Sequence, residues 1–165
     1  MSVQKFMVVC VCLSSVLTGC RSEEVPVELG FPSETTFLFS VTGRLLAYSV
    51  DGGRAACTTA TQSALAGDFG TTVFDSGALN VCEFREGGVS VPDIPDGPIA
   101  YVMLTYDRDG ASVLLSGCTV VDLAAEAPEV RIDLSPTAYY GDTYAPLSPD
   151  CDVESRCGGT CQERN

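Results

Sequence analysis

The chain has 165 residues, 22 acidic against nine basic side chains, a formal charge of −13, nine cysteines, and neither histidine nor tryptophan. Without imidazole there is no Ser–His or Cys–His nucleophile pair and no His-ligated zinc, and Lys5 as the sole lysine withholds Ser–Lys pairs and Schiff bases from the rest of the chain. A balance this acidic repels nucleic acid and anionic lipid headgroups, keeps the surface soluble, and suits divalent cations or basic partners.

Residues 1–5 (MSVQK) carry one cation, residues 6–13 (FMVVCVCL) are apolar, and Val16-Leu17 resume the apolar run after Ser14-Ser15. This is the layout of a secretory signal, and it is too short for a spanning helix, which needs about 20 apolar residues. The run ends in Leu17-Thr18-Gly19-Cys20, which resembles the bacterial lipobox. The resemblance implies that the Cys20 thiol takes a diacylglycerol, that residues 1–19 are cut away, and that acylated Cys20 becomes the N-terminus. Several acyl chains, each at about 0.8 kcal/mol per CH₂, anchor a protein firmly where one does not. Arg21 and Ser22 follow the cysteine with no Asp directly after it. An outer-membrane address is expected, on the periplasmic or the cell-surface face. Removing residues 1–19 leaves 146 residues, enough for one domain with a core, at a charge of about −14.

Residues 20–35 read as the lipidated cysteine followed by an acidic, proline-bearing tether. From residue 36 the pattern is that of strands. TFLFSV (36–41) and RLLAYSV (44–50) are short apolar runs, the second closed by Asp51-Gly52-Gly53. Residues 54–67 are ambiguous, their alanines permitting a short helix and their threonines weakening it. TTVF (71–74), ALNVCEF (78–84, with Leu79, Val81 and Glu83 on one side), VSV (89–91), IAYVMLTY (99–106), ASVLLSGCTVV (111–121) and EVRIDL (129–134) follow, separated by turn residues. Asp107-Arg108-Asp109-Gly110 reads as a hairpin turn. As a calcium loop it fails, because Gly stands at position 4 rather than 6. Short strands at this spacing predict an all-β chain, a single antiparallel β-sandwich over residues 36–136.

Val91-Pro92-Asp93-Ile94-Pro95, Gly97 and the Asp107–Gly110 tip resemble the carboxypeptidase-regulatory and transthyretin-like β-sandwiches. That resemblance covers residues 89–117. It implies an immunoglobulin/transthyretin-like fold and no activity. The whole layout, lipobox through GCTVVDL to a Cys-rich end, is similar to lipoproteins abundant in myxobacteria, a family that supplies no function to carry over.

With Cys10 and Cys12 in the signal and Cys20 taken by lipid, Cys57, Cys82, Cys118, Cys151, Cys157 and Cys161 remain. An even number in an exported chain predicts three disulfides of unspecified connectivity. Three of these cysteines lie in the body and three in the tail, so full pairing requires an odd number of body-to-tail bridges. Residues 137–165 are thus expected as a Tyr- and Cys-rich tail pinned to the domain. The C-x5-C-x3-C spacing lacks the C-x2-C knuckle of zinc and redox sites.

Asp150, Asp152 and Glu154 alternate beside Cys151 and, in an extended segment, would offer oxygen ligands to calcium, with solvated charge as the plainer reading. Tyr139, Tyr140 and Tyr144 either form a sugar- or peptide-binding patch or pack the tail onto the domain. No catalytic residue and no cofactor is expected. The function expected is a lipid-anchored envelope lipoprotein acting as a non-catalytic binding or structural module. Its partners would be the membrane, through the N-terminal lipid, and envelope proteins or glycans, with no nucleic acid. A carboxylate-dependent envelope or glycan hydrolase and a calcium-dependent adhesion module are the alternatives.

Overall fold

The computed structural model describes residues 25–85, 89–91, 97–122 and 130–161. The first described element corrects the tether expected over residues 20–35. Val25–Gly30 is a strand, β1, with Val25 and Val27 buried. The second corrects the strand expected at TFLFSV. Glu34–Phe39 is a helix, α1. Ser33 Oγ accepts the Thr36 N–H at 3.2 Å while Thr36 Oγ1 accepts the Ser33 N–H at 3.1 Å, a reciprocal cap that satisfies two donors.

β2 (Thr42–Ser49) follows, then helix α2 (Arg54–Leu65), which settles the ambiguous alanine-rich stretch. β3 is Thr72–Asp75. The alternating strand expected at ALNVCEF divides into a two-residue β4 (Leu79–Asn80) and a helical turn α3 (Val81–Arg85). The cause is local: Asn80 Oδ1 accepts the Cys82 N–H at 2.9 Å and Glu83 Oε1 accepts the Asn80 N–H at 3.1 Å. Helical geometry buries Val81, Cys82 and Phe84, whereas the alternation had set Leu79, Val81 and Glu83 on one side.

β5 (Ser90–Val91), β6 (Pro98–Tyr106), β7 (Val113–Asp122) and β8 (Val130–Asp133) lie where strands are expected. The β6–β7 turn closes with Gly110 at φ +67° and its N–H on the Asp107 carbonyl at 3.1 Å. Residues 92–96, which carry much of the sandwich resemblance, lie outside the described residues. β9 (Ser135–Pro136), α4 (Ala138–Thr143) and α5 (Val153–Cys157) complete the chain.

The chain is mostly β-sheet, in two sheets. The larger runs β3-β2-β6-β7-β9 with β4 also on β2, all antiparallel. The smaller runs β5-β1-β8, and in it β1 and β8 are parallel from Val27↔Val130 to Gly30↔Asp133. That parallel pair and, among the described residues, the helices α1, α3, α4 and α5 are departures from the expected all-antiparallel, all-β chain.

β6 reads as one continuous apolar run because both of its faces are covered. Ile99, Tyr101 and Met103 join Leu45 and Ala47 of β2 in a cluster with Val27 of β1 and Val130 and Ile132 of β8, so residues of both sheets meet in one core. Ala100, Val102 and Leu104 face the other way, against Ala60 and Ala64 of α2. Cys57 of α2 is bonded to Cys118 of β7, with Cα atoms 5.7 Å apart.

Candidate functional site

The remaining bridges join Cys82 of α3 to Cys157 of α5 (Cα–Cα 5.5 Å) and Cys151 to Cys161 (5.9 Å). One bridge therefore lies within the body, one joins body to tail, and one closes the tail on itself. Cys20 lies outside the described residues.

The three tyrosines are brought together, and two of them pack inward. Tyr140 is 6% exposed and belongs to the shared core. Tyr144 sits 5.1 Å from the Phe39 ring and stacks on Tyr140 at 6.2 Å. Tyr139 is exposed and meets Tyr144 edge-on at 6.1 Å. Their anchor was not expected: Asp107, only 4% exposed, whose Oδ2 accepts the hydroxyls of Tyr139 at 3.3 Å and Tyr144 at 3.4 Å. Burial, then the Asp107 carboxylate, raise the Tyr144 phenol above its usual range. Of the three, Tyr139 is the most exposed, at 39%, so the cluster is a clamp from α4 onto the β6–β7 turn more than an open aromatic face.

The acidic trio is not an extended ladder of ligands. Asp152 caps α5, its Oδ1 accepting the Ser155 N–H at 2.7 Å, and that hydrogen bond lowers its pKa. Glu154 then lies inside the helix, which breaks the alternation. Among the described residues no three His, Cys, Asp or Glu side chains gather as a metal-holding group.

A groove of about 970 Å³ opens along β1 between α1, α3 and α5. Its apolar lining comes from Val27, Leu29, Phe31, Phe37, Phe84 and Val153. Leu29, Phe31 and Val153 are half-buried, so they present apolar surface to it. Phe31 and Phe37 are held edge to face at 5.0 Å, and the Arg85 guanidinium lies 5.9 Å from the Phe37 ring. Among the described residues of the lining, four exposed carboxylates, Glu28, Glu34, Asp152 and Glu154, stand around it with Arg85 as the one cation. Arg131 reaches Glu28 from outside the groove at 3.3 Å. The Cys82–Cys157 bridge holds α3 and α5 together behind the groove, and Arg156 Nη2 donates to the Ser40 carbonyl at 3.2 Å.

No signal in the sequence marked this groove. Its lining is drawn from a stretch read as tether, a helix read as strand, and a tail read as solvated charge. No family model matches the chain, and neither a curated protein nor a solved structure is significantly similar to it.

Proposed function

We propose that the chain is an exported, lipid-anchored binding module of the bacterial outer membrane, without catalytic activity, on an immunoglobulin/transthyretin-like β-sandwich elaborated by helices. The observation that carries this reading is the cysteine account. All six cysteines downstream of Cys20 are used in three bridges, which fits an oxidising compartment, and once residues 1–19 are removed with Cys10 and Cys12, Cys20 is the odd thiol at the end of the lipobox-like run. The groove supplies a binding surface with apolar and charged parts, as partner sites have. The absence of histidine and of lysine beyond Lys5 supports a non-catalytic role.

Intact mass of the protein extracted from its own membranes tests this, before and after reduction. The expected species begins at Cys20, carries diacylglycerol, and gains about six hydrogens on reduction, two per bridge. An uncut or unacylated N-terminus overturns the anchored reading.

A further inference from the structure

We infer that the groove along β1 receives an extended segment of a partner protein in which cationic side chains alternate with apolar ones. This deepens the binding-module reading and rests on it. The apolar lining offers Leu29, Phe31 and Val153 as partly exposed contacts, and apolar anchors in such pockets contribute most of the affinity at protein interfaces. The charge around the lining selects the occupant. Arg131 already pairs with Glu28, which leaves Glu34, Asp152 and Glu154 against Arg85 among the described lining residues, on a chain whose overall charge is −13. An anionic headgroup is repelled there, a bare acyl chain gains nothing from the rim, and a second copy of this chain brings the same sign of charge. Arginine or lysine beside a leucine- or phenylalanine-like side chain satisfies both parts. The rim then speeds encounter and the lining holds the complex.

Position narrows the partner further. Val25 is already buried in β1, five residues after Cys20. Five residues reach at most roughly 18 Å when fully extended. With Cys20 acylated, the start of the groove, at Pro26 and Val27, lies close to the lipid surface. The segment it receives belongs to a membrane-bound or membrane-adjacent protein.

The test uses the acylated protein in phosphatidylcholine nanodiscs, with empty discs as the blank. Two dye-labelled probes, a hexapeptide alternating Arg and Leu and one alternating Arg and Ser, are titrated by fluorescence anisotropy. The Arg–Leu probe is expected to bind at least tenfold more tightly. Leu29→Asp and, separately, Val153→Asp should abolish that preference. Glu34→Gln with Glu154→Gln should weaken both probes and flatten their salt dependence. Asp51→Asn with Asp68→Asn, away from the groove, should change nothing.

Equal affinity for the two probes, or a preference that survives both Asp substitutions in proteins that still melt cooperatively, overturns the inference in favour of bulk charge. Sedimentation that depends on concentration and is lost in Leu29→Asp overturns it in favour of a second copy. If Leu29→Asp does not fold, Val153→Asp and the Gln pair carry the decision. If the intact mass shows the native N-terminus unacylated and the protein still prefers the Arg–Leu probe, the anchor fails and the groove stands. An acylated chain without the preference gives the reverse.

Discussion

The buried carboxylate of Asp107 accepts the hydroxyl hydrogen of Tyr144 at 3.4 Å, tying the turn between β6 and β7 to the C-terminal end of α4. Tyr139 reaches the same oxygen at 3.3 Å from an exposed position. Tyr144→Phe keeps the ring contacts with Phe39 and Tyr140 and loses only the hydroxyl, so it should cost about 1 kcal/mol. A double-mutant cycle with Asp107→Ala should return a coupling of about 0.5–1.5 kcal/mol. Tyr139→Phe should change less, because its hydroxyl has water as an alternative. Chemical denaturation of the four proteins of the cycle and of Tyr139→Phe measures all of this, and zero coupling would mean the Tyr144 contact carries no stability.

Gly117 of β7 lies under the passage from β8 to β9. A Cβ there would stand 2.6 Å from the Asp133 carbonyl oxygen and 2.8 Å from Ile132 Cγ2. Backbone cannot yield as a side-chain tip does, so Gly117→Ala should destabilise by about 3 kcal/mol. Gly110→Ala meets nothing within 4 Å but must hold φ +67°, and should cost about 1–2 kcal/mol. Denaturation midpoints that rank the two the other way would place the strain at the turn instead of between the sheets.

The bridges differ in the loops they close. Cys57–Cys118 spans 61 residues and Cys151–Cys161 spans 10. Chain entropy then makes the first worth about 1.5 kcal/mol more than the second. Alanine pairs, Cys57→Ala with Cys118→Ala and Cys151→Ala with Cys161→Ala, should differ in that sense in unfolding free energy. The first should also loosen α2, visible as faster hydrogen exchange along Arg54–Leu65.

Tyr101 is fully buried in β6, and its hydroxyl finds no hydrogen-bond partner among the described residues. Burial pushes its phenol from 10.0 up to about 12. Its unfolded form therefore ionises first. Stability from this group is complete below pH 10, falls as the pH rises, and is spent above about 12, a loss of roughly 2–3 kcal/mol. Tyr101→Phe should flatten that alkaline limb in denaturation curves taken from pH 9 to 12. An unchanged slope would assign the limb to Tyr48, Tyr106, Tyr140 or Tyr144, which burial also raises.

The strands that could be read in advance are those with apolar runs bounded by turn residues: β2, β6, β7 and β8. The alternation of Val130, Ile132 and Leu134 is present as buried positions. What escaped was short and locally capped. Ser33 and Thr36 turn TFLF into a helix, and Asn80 with Glu83 does the same to VCEF, through side-chain hydrogen bonds that outweigh the β-forming composition. β1 escaped because Pro26, Glu23, Glu24 and Glu28 make it look solvated, while its parallel partner β8 lies about a hundred residues away. The groove was illegible for the same reasons, since it exists only once β1, α1 and α5 are placed. Asp107 was read as a turn residue, which it is, but nothing local announced that two tyrosines would close over it.

The register of β1 has a mechanical meaning. Its four residue pairs with β8 run side by side along one axis. If Cys20 is acylated as proposed, a pull on that anchor would reach β1 at Val25 and strain those hydrogen bonds together in shear and not peel them in turn. If the opposing load is a partner seated along β1, the tension enters and leaves through the same strand. On that reading the β2-β6-β7 ladder and its helix stand outside the path of force, and a tug between the proposed anchor and the proposed partner would leave the body of the protein folded.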